Sequence, residues 1–486
     1  MKKVTKLSLV ALMALGTAAY AEEVKKDAGL KVSGKVTAWY QTMAHGGVSA
    51  DKGLFIYDDV YGNDWANVGA MLRVSGAASD HVDIGVALQG VTTMGTENFL
   101  ASAETASGAY PSTTGLQSLS GSAGFPFWLH ELHFTYKVGN THVKFGRQEL
   151  DTPLVFTEAW NSTANSFEAA VLTNTDLPAT TIEALWIAKG NGAGDTLHSA
   201  PQVFGTEAGY STFMAYNLDG DATGYSPLDS NDSKGGMFAV GVKNKTLSFM
   251  PITAYYYSAP DAVQAYWTQG DLSLKDMIGM DVSAQGIIAG IAPQGKVDTY
   301  LKADNGGDKA GTATGFTHAV AGKVAANIAG VALRVALSKT TAGNIPVANM
   351  GTNYKKTKLP TASIFNDGMV AAQPNTFAML IGAGYKVAGI NIGASYGSYT
   401  IGTNSGFDQI NTNVGGPASM GYIVQQKIGA ATTMSEIDVS VSTKIQEFSI
   451  AAHYINLSNT YVPGGTAASY GTFGNNVVRI VVSESF

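Results

Sequence analysis

The stretch NVVRIVVSESF (476–486) alternates along its length as an extended strand does. Val478, Ile480 and Val482 fall on the same face as Phe486, because successive side chains of a strand point to opposite sides. The opposite face carries a more polar set: Arg479, Val481, Ser483 and Ser485. An amphipathic strand that finishes on an aromatic residue is unusual in soluble proteins. In a soluble β-sandwich it would be an ordinary edge strand, and Phe486 would have no particular meaning.

The stretch resembles the closing strand of bacterial outer-membrane β-barrels, in which assembly machinery reads the terminal aromatic residue. Glu484 departs from that pattern, since this position is more often aromatic or apolar. The other end of the chain favours the barrel. Residues 1–21 begin with lysines, continue with a short apolar core and finish at Ala19-Tyr20-Ala21, which is the pattern of a secretory signal peptide. We therefore expect cleavage near Ala21 and a mature chain of residues 22–486.

The composition excludes several classes of protein. No later segment offers the roughly 18 uninterrupted apolar residues of a helical membrane span, so only a closed barrel of strands could cross a bilayer. The chain has no cysteine, which excludes zinc ribbons, Cys-ligated clusters and thiol nucleophiles. It has 57 glycines and a formal charge of −7, and the acidic balance argues against nucleic acid as a partner.

Segments of about ten residues alternate apolar with polar side chains, and the connections between them alternate short with long. This pattern predicts an all-β fold, a transmembrane antiparallel β-barrel of about 18 strands with short periplasmic turns and long extracellular loops. Tight turns are expected at Lys275-Asp276 and Ala326-Asn327. The connection at 258–261 is short where a long loop is expected, so a barrel of about 16 strands stays possible.

Charged residues recur on the predicted inner face of nearly every hairpin. A ring of this width cannot be filled by side chains, so its interior would hold water, whereas Lys or Arg facing lipid at the midplane would cost about 2–4 kcal/mol. The predicted inner residues are Lys31, Lys35, Arg73, Asp83, Glu131, Lys144, Glu183, Lys243, Asp281, Arg334, Asp438, Lys444 and Arg479. A soluble sandwich could show polar rows, but it would not combine them with the signal peptide and the closing strand.

Arg147 conflicts with this alternation. Val143 and Phe145 face outward in the predicted register, which would send Arg147 outward too. Either Gly146 marks a bulge that turns Arg147 inward, or Arg147 already lies at the rim. We favour the bulge.

The segment KFGRQELDTP (144–153) is similar to the Opr-type major outer-membrane porins of epsilonproteobacteria, relatives of the pseudomonad substrate-specific porins, and NSFEA (165–169) fits the same family. The resemblance implies an 18-stranded barrel, often a homotrimer, whose third loop (149–165) folds inward and narrows the pore. By position it implies acidic constriction residues beside cations on the wall: Glu149, Asp151 and Glu158 with Lys144 and Arg147. Opposed charges there would orient a solute, or Arg147 could pair with Glu149 or Asp151 merely to fix the loop.

The predicted outer loops are acidic. The first loop contains Asp51, Asp58, Asp59 and Asp64. The loop at 190–236 contains six acidic residues: Asp195, Glu207, Asp219, Asp221, Asp229 and Asp232. A basic cluster opposes these charges locally and consists of Lys355, Lys356 and Lys358. An acidic entrance enriches cations. We therefore expect passive diffusion of small hydrophilic solutes and ions with a mild cation preference.

Other signals are weaker. Residues 229–233 resemble the opening of a calcium loop, but the required Gly and Glu are missing. His130 and His133 should face opposite sides of a strand, so no metal site is expected there, and no cofactor is expected anywhere. We find no catalytic motif and do not expect an enzyme. The alternative function is an outer-membrane structural or adhesive barrel whose long loops bind a surface partner; in either case lipid and lipopolysaccharide would surround it.

Overall fold

The computed structural model describes residues 29–45, 64–93, 127–159, 162–191, 211–212, 236–275, 279–295, 298–299, 315–343, 345–352, 354, 356–368, 370–402, 432–461 and 473–486. The predicted signal peptide (1–21), Asp51, Asp58 and Asp59 of the first loop, the acidic residues of 190–236, Lys355 and the calcium-like segment lie outside these residues. Asp64 is a correction, because it is the first residue of the second strand and not part of the loop. Among the described residues, no helix has the length and apolar character needed to cross a bilayer.

The chain forms a closed antiparallel barrel of eighteen strands, which confirms the predicted fold class and strand number. A two-residue strand, Ser211–Thr212, additionally pairs with the end of one barrel strand. The first nine barrel strands are β1 Lys31–His45, β2 Asp64–Ser79, β3 Val82–Thr93, β4 Phe127–Val138, β5 Thr141–Gln148, β6 Phe167–Asn174, β7 Thr180–Gly190, β8 Met237–Asn244 and β9 Ile252–Ala259. The other nine are β10 Val263–Ser273, β11 Val282–Pro293, β12 Thr317–Ile328, β13 Val331–Thr340, β14 Thr376–Val387, β15 Ile390–Ile401, β16 Thr432–Ile445, β17 Phe448–Tyr461 and β18 Phe473–Ser485.

Strand β18 closes the barrel by pairing with both β17 and β1. Beyond the strand, the backbone N–H of Gly34 donates to the carbonyl of Phe486 at 2.9 Å, and the N–H of Phe486 donates back at 3.1 Å. The Phe486 ring fills the space over Gly34, where a Cβ would lie 2.4 Å from its Cζ. Phe486 therefore continues the pairing of β18 with β1, and its ring packs over Gly34 on the outer face.

The two faces of the barrel differ as the alternation predicts. Outward side chains are apolar and exposed, such as Val320 (60% exposed) and Ile381 (44%), whereas inward Gln41 (1%) and Glu131 (3%) are buried. Asp281 is a correction, because β11 begins at Val282 and Asp281 lies exposed in the preceding connection. The apolar row thus faces outward and the polar row inward around the ring.

Two predicted turns are wrong. Strands β10 and β11 are joined by residues 274–281 and not by a tight turn at Lys275-Asp276. The turn between β12 and β13 lies at Ala329 and Gly330, three residues beyond the predicted position, with φ of +52° and +84°. Two residues with positive φ match the right-handed twist of a hairpin, and glycine supplies the second at little cost. The predicted short connection between β9 and β10 is confirmed at residues 260–262.

Candidate functional site: the inner wall and two inward loops

Loop L3 (149–166) connects β5 to β6 and packs against the inner wall. The N–H of Leu154 donates to the hydroxyl of Tyr257 on β9 at 3.3 Å. On the returning part of the loop, Ala164 exchanges two hydrogen bonds with Gln89 on β3, at 2.8 and 3.1 Å. A Cβ on Gly69 of β2 would lie 2.1 Å from the carbonyl oxygen of Ser162, so this close approach requires glycine. L3 therefore contacts strands on both sides of its own hairpin.

Loop L7 (341–375) connects β13 to β14 and meets L3 inside the barrel. The side chain of Asn349 accepts from the N–H of Phe156 at 3.2 Å and donates to its carbonyl at 2.8 Å. The N–H of Met350 donates to the carbonyl of Leu154 at 2.9 Å. Apolar residues of both loops and of the inner wall from β6 to β12 form one buried cluster, to which Leu154 and Met350 belong. The two loops are therefore a single packed unit.

Glu158 lies buried at this junction, 3% exposed. Its carboxylate accepts from the Asn349 amide at 2.8 Å and from the hydroxyl of Thr352. Asp367 of L7 is also enclosed, and burial raises its pKa to about 8, with Lys356 lowering it and Glu158 raising it further. Burial also raises the pKa of Tyr354. The predicted constriction residue Glu158 thus joins two loops and does not face open solvent.

The predicted residues Arg73, Lys144 and Glu149 lie together on the inner side of β2–β5. Arg73 pairs with Glu131 at 2.5 Å and with Glu149 at 3.2 Å, and His130 Nε2 lies 2.9 Å from the same Glu149 oxygen. Burial alone would raise the pKa of Glu149, but the His130 hydrogen bond and the charges of His130, Arg73 and Lys144 hold it below its usual value. A mixed-charge network therefore lines this wall.

His130 corrects the expectation that His130 and His133 face opposite sides. The β3–β4 register shifts between Ala87 and Leu88, which leaves His130 as an extra residue in β4. This bulge turns His130 toward Glu149. Among the described residues, no group of three or more His, Asp or Glu side chains could hold a metal ion.

Arg147 does not turn inward. The β4–β5 and β5–β6 registers run unshifted through Gly146, although its φ is +122°. Arg147 therefore stays on the outward row beside Leu132, where it pairs with Glu168 at 2.7 Å and donates to the carbonyl of Leu129 at 2.9 Å. The bulge that we predicted at Gly146 is wrong, and Arg147 lies at the outer rim, one residue before β5 ends.

Asp151 and Lys358 form an ion pair between L3 and L7. Their side chains are 2.5 Å apart, with Asp151 89% exposed and Lys358 34% exposed. The Lys358 ammonium also lies 4.8 Å from the centre of the Phe156 ring. Arg334 lies apart on the inner face of β13, against Gly382 of β14. The sequence predicted Asp151 at the constriction but not its L7 partner Lys358 or the junction residue Asn349.

No family model matches the sequence, and no curated protein matches it. Several solved structures are similar to the chain in fold. OccK8 (OprE) of Pseudomonas aeruginosa superposes with a TM-score of 0.61 at 13% identity, covering 94% of this chain and 98% of that one. The chain has the fold of the Occ porins.

Two further Pseudomonas aeruginosa structures are similar. OpdK, crystallised with vanillate, gives a TM-score of 0.60 at 13% identity, and OccK2 (OpdF), in complex with glucuronate, gives 0.57 at 10%; each comparison covers 94% of this chain and 98% of the other. At these identities the likeness concerns the fold. The relationship to the pseudomonad porins and the membership of the epsilonproteobacterial family both stay predictions.

Proposed function

We propose that this chain forms a water-filled channel in the outer membrane through which small hydrophilic solutes and ions diffuse passively. One observation carries the proposal: an eighteen-stranded closed barrel presents apolar side chains outward and charged side chains inward. A ring of this size is too wide for wall side chains alone to fill. Backbone groups in hydrocarbon need internal partners, and ring closure supplies them.

Planar-bilayer recording tests this function. Detergent-purified protein should insert spontaneously and produce discrete conductance steps that scale with bulk salt, because the path is aqueous. Folding is checked separately by the heat-dependent electrophoretic mobility of the barrel. Folded protein that inserts into vesicles but never conducts would contradict the proposal.

The narrow section of the channel is formed by L3 together with L7. The hydrogen bonds between Asn349 and Phe156 support this assignment, since they hold the two loops inside the ring. Within that section Asp151 and Lys358 place opposite charges against the solvent-filled space. Opposed charges in a narrow aqueous passage orient dipolar solutes.

Ion preference is the finer part of the proposal. The acidic outer loops predict a mild cation preference. The described wall favours the opposite sign, because its inward cations outnumber its inward anions. The cations are Lys31, Lys35, Arg73, Lys137, Lys144, Lys243, Lys323, Arg334, Lys386, Lys444 and Arg479; the anions are Asp83, Glu131, Glu183, Asp271, Glu436 and Asp438. The reversal potential under a salt gradient decides between them, and clear anion selectivity would overturn the cation preference.

The vanillate and glucuronate complexes of the similar structures make small carboxylates the first solutes to assay.

Cleavage near Ala21, a homotrimeric assembly and an annulus of lipid and lipopolysaccharide complete the proposal. N-terminal sequencing and mass measurement in detergent test the first two. Deleting the 190–236 loop tests the adhesive alternative, because it should abolish surface binding and leave conductance intact.

A further inference from the structure

The tip of L7 (363–366) lies against the inner face of β16, where it surrounds Glu436. This carboxylate is 1% exposed. It accepts from the N–H groups of Ile364 at 3.0 Å, Phe365 at 3.2 Å and Asn366 at 2.8 Å. The Ser363 hydroxyl at 2.6 Å and the Asn366 side-chain amide at 3.0 Å complete the set.

Three successive backbone N–H groups that converge on one anion form a concave site of matching polarity. Here the anion is supplied by the barrel wall and the donors by the loop. Hydrogen bonds to an ionised acceptor are stronger than neutral ones. Without the loop, Glu436 would face the interior without these donors. Asp438 lies on the same inner row of β16 and has a different partner, His453 at 3.3 Å.

Apolar and aromatic contacts extend the same attachment. Ile364 and Phe365 pack against a buried cluster on β17 and β18, which consists of Ile455, Leu457 and Val477. The guanidinium of Arg479 lies 5.1 Å from the centre of the Phe365 ring. The tip thus covers wall side chains on three adjacent strands.

The other end of L7 is fixed by L3. Asn349 holds the first part of the loop at the junction, and Glu436 holds the tip on the far wall. Between these two points the hydroxyl of Tyr399 on β15 also lies 3.0 Å from the Thr361 carbonyl oxygen and 2.7 Å from the Ser363 hydroxyl. Glu436 is nevertheless the wall residue that accepts most of the hydrogen bonds from the tip.

We propose that Glu436 is a positioning residue that holds L7 on the wall and thereby sets the width of the aqueous path beside it. This inference rests on the proposed channel function. Its expected consequence is that an undocked tip moves within the lumen and changes the cross-section from moment to moment.

Glu436→Gln is the sharpest substitution. It keeps the size of the side chain but replaces one acceptor oxygen with an NH₂ donor, which would face the N–H groups of L7. We expect frequent current sublevels and open-channel noise raised severalfold, with barrel heat-modifiability unchanged. Asp438→Asn is the matched control, because it removes the same charge from the same inner row without touching the hydrogen bonds to L7. It should show neither the sublevels nor the added noise.

A thiol-labelling experiment reports whether the tip is packed against the wall, and it does not require a conductance measurement. The chain has no cysteine, so Ile364→Cys introduces a single thiol at the packed tip. A water-soluble maleimide should label it slowly in the parent background and in the Asp438→Asn background, and many times faster with Glu436→Gln. Phe365→Ala is a second route, because it weakens the same attachment from the loop and leaves every strand intact.

The outcomes separate the two proposals. Unchanged labelling and unchanged noise in both Glu436→Gln and Phe365→Ala would overturn the role of Glu436 even in a working channel. Fast labelling in these variants of a barrel that never conducts would support the attachment and contradict the channel.

Discussion

L3 and L7 both enter the barrel, yet their buried carboxylates are arranged in opposite ways. In L3 the carboxylate belongs to the loop, and Glu158 accepts from the side chains of Asn349 and Thr352. In L7 the carboxylate belongs to the wall, and Glu436 accepts mainly from the loop backbone. The first junction depends on particular loop side chains, whereas the second depends mainly on three successive loop N–H groups, with the side chains of Ser363 and Asn366 as additional donors.

This difference predicts where substitutions act. Changes at the L3 junction should be damaging on either loop, because both partners contribute specific side chains. At the L7 tip, Glu436 on the strand should be the most sensitive position, because three of its hydrogen bonds come from backbone N–H groups that most loop substitutions keep. The following tests run from the largest expected effect to the smallest.

Asn349→Ala should have the largest effect. It removes both bonds to Phe156 and one bond to Glu158, all of them buried. Each buried polar group left without a partner costs about 1–3 kcal/mol. We expect L3 and L7 to separate, seen as faster amide exchange in 150–158 and a changed single-channel conductance. Asn391→Ala is the control, since Asn391 is exposed and bonds only to Ser442; equal effects in the two variants would contradict the junction.

Gly69→Ala should displace the returning part of L3. The added methyl would lie 2.1 Å from the carbonyl oxygen of Ser162, so the loop backbone must move. Overpacking of this kind costs about 1–3 kcal/mol. A shifted conductance with an intact barrel is the expected result. Gly286→Ala, which has no atom within 4 Å of the new Cβ, should leave the current unchanged.

Asp367 should make L7 sensitive to pH. Burial raises the pKa of this carboxyl to about 8 from an ordinary 3.8, so the docked loop favours its protonated form. The stabilising effect is complete below about pH 4 and is lost as the pH rises through about 8. We expect L7 amides to exchange faster in the parent than in Asp367→Asn at pH 8.5, and equally at pH 4. The ratio of the two proteins at each pH removes the intrinsic pH dependence of exchange, and a constant ratio would refute the effect.

Lys358→Gln should have the smallest effect on stability. Its ion pair with Asp151 is largely exposed, and such pairs contribute about 0–1 kcal/mol. The unpaired Asp151 should still shift the reversal potential toward cations. Lys137→Gln serves as the control, because it breaks a similar pair with Asp83 at the opposite, turn-bearing end of the barrel. An equal shift in both variants would mean that the L3–L7 section does not set selectivity.

The alternation of side chains made most of the barrel predictable. Period two assigned Phe145 outward and Glu131 inward without knowledge of any contact, because parity alone decides the face. It failed at His130, where one extra residue in β4 changes the parity. At Arg147 the alternation continues without interruption, and the bulge that we predicted there is absent. No local sequence feature distinguished these two positions, since a bulge depends on the neighbouring strand.

The loops were less predictable for a physical reason. The resemblance pointed to L3, and Asp151 and Glu158 do lie in the L3–L7 unit. L7 carried a signal that we did not use: residues such as Ile345 and Val347 are too apolar for an exposed loop, and both are buried. Glu436 could not have been assigned from sequence, because its partners are mainly backbone groups, which every residue carries.

The bond from Arg479 to Gln41 joins residues that are 438 positions apart in the chain. Such a contact forms only after a very long segment has been ordered, and contacts of high sequence separation slow folding. Until then the two strands present bare edges to any neighbouring polypeptide. We therefore expect this protein to need chaperones before it reaches the membrane. The pairing of β1 with β18 should be the last part of the barrel to form.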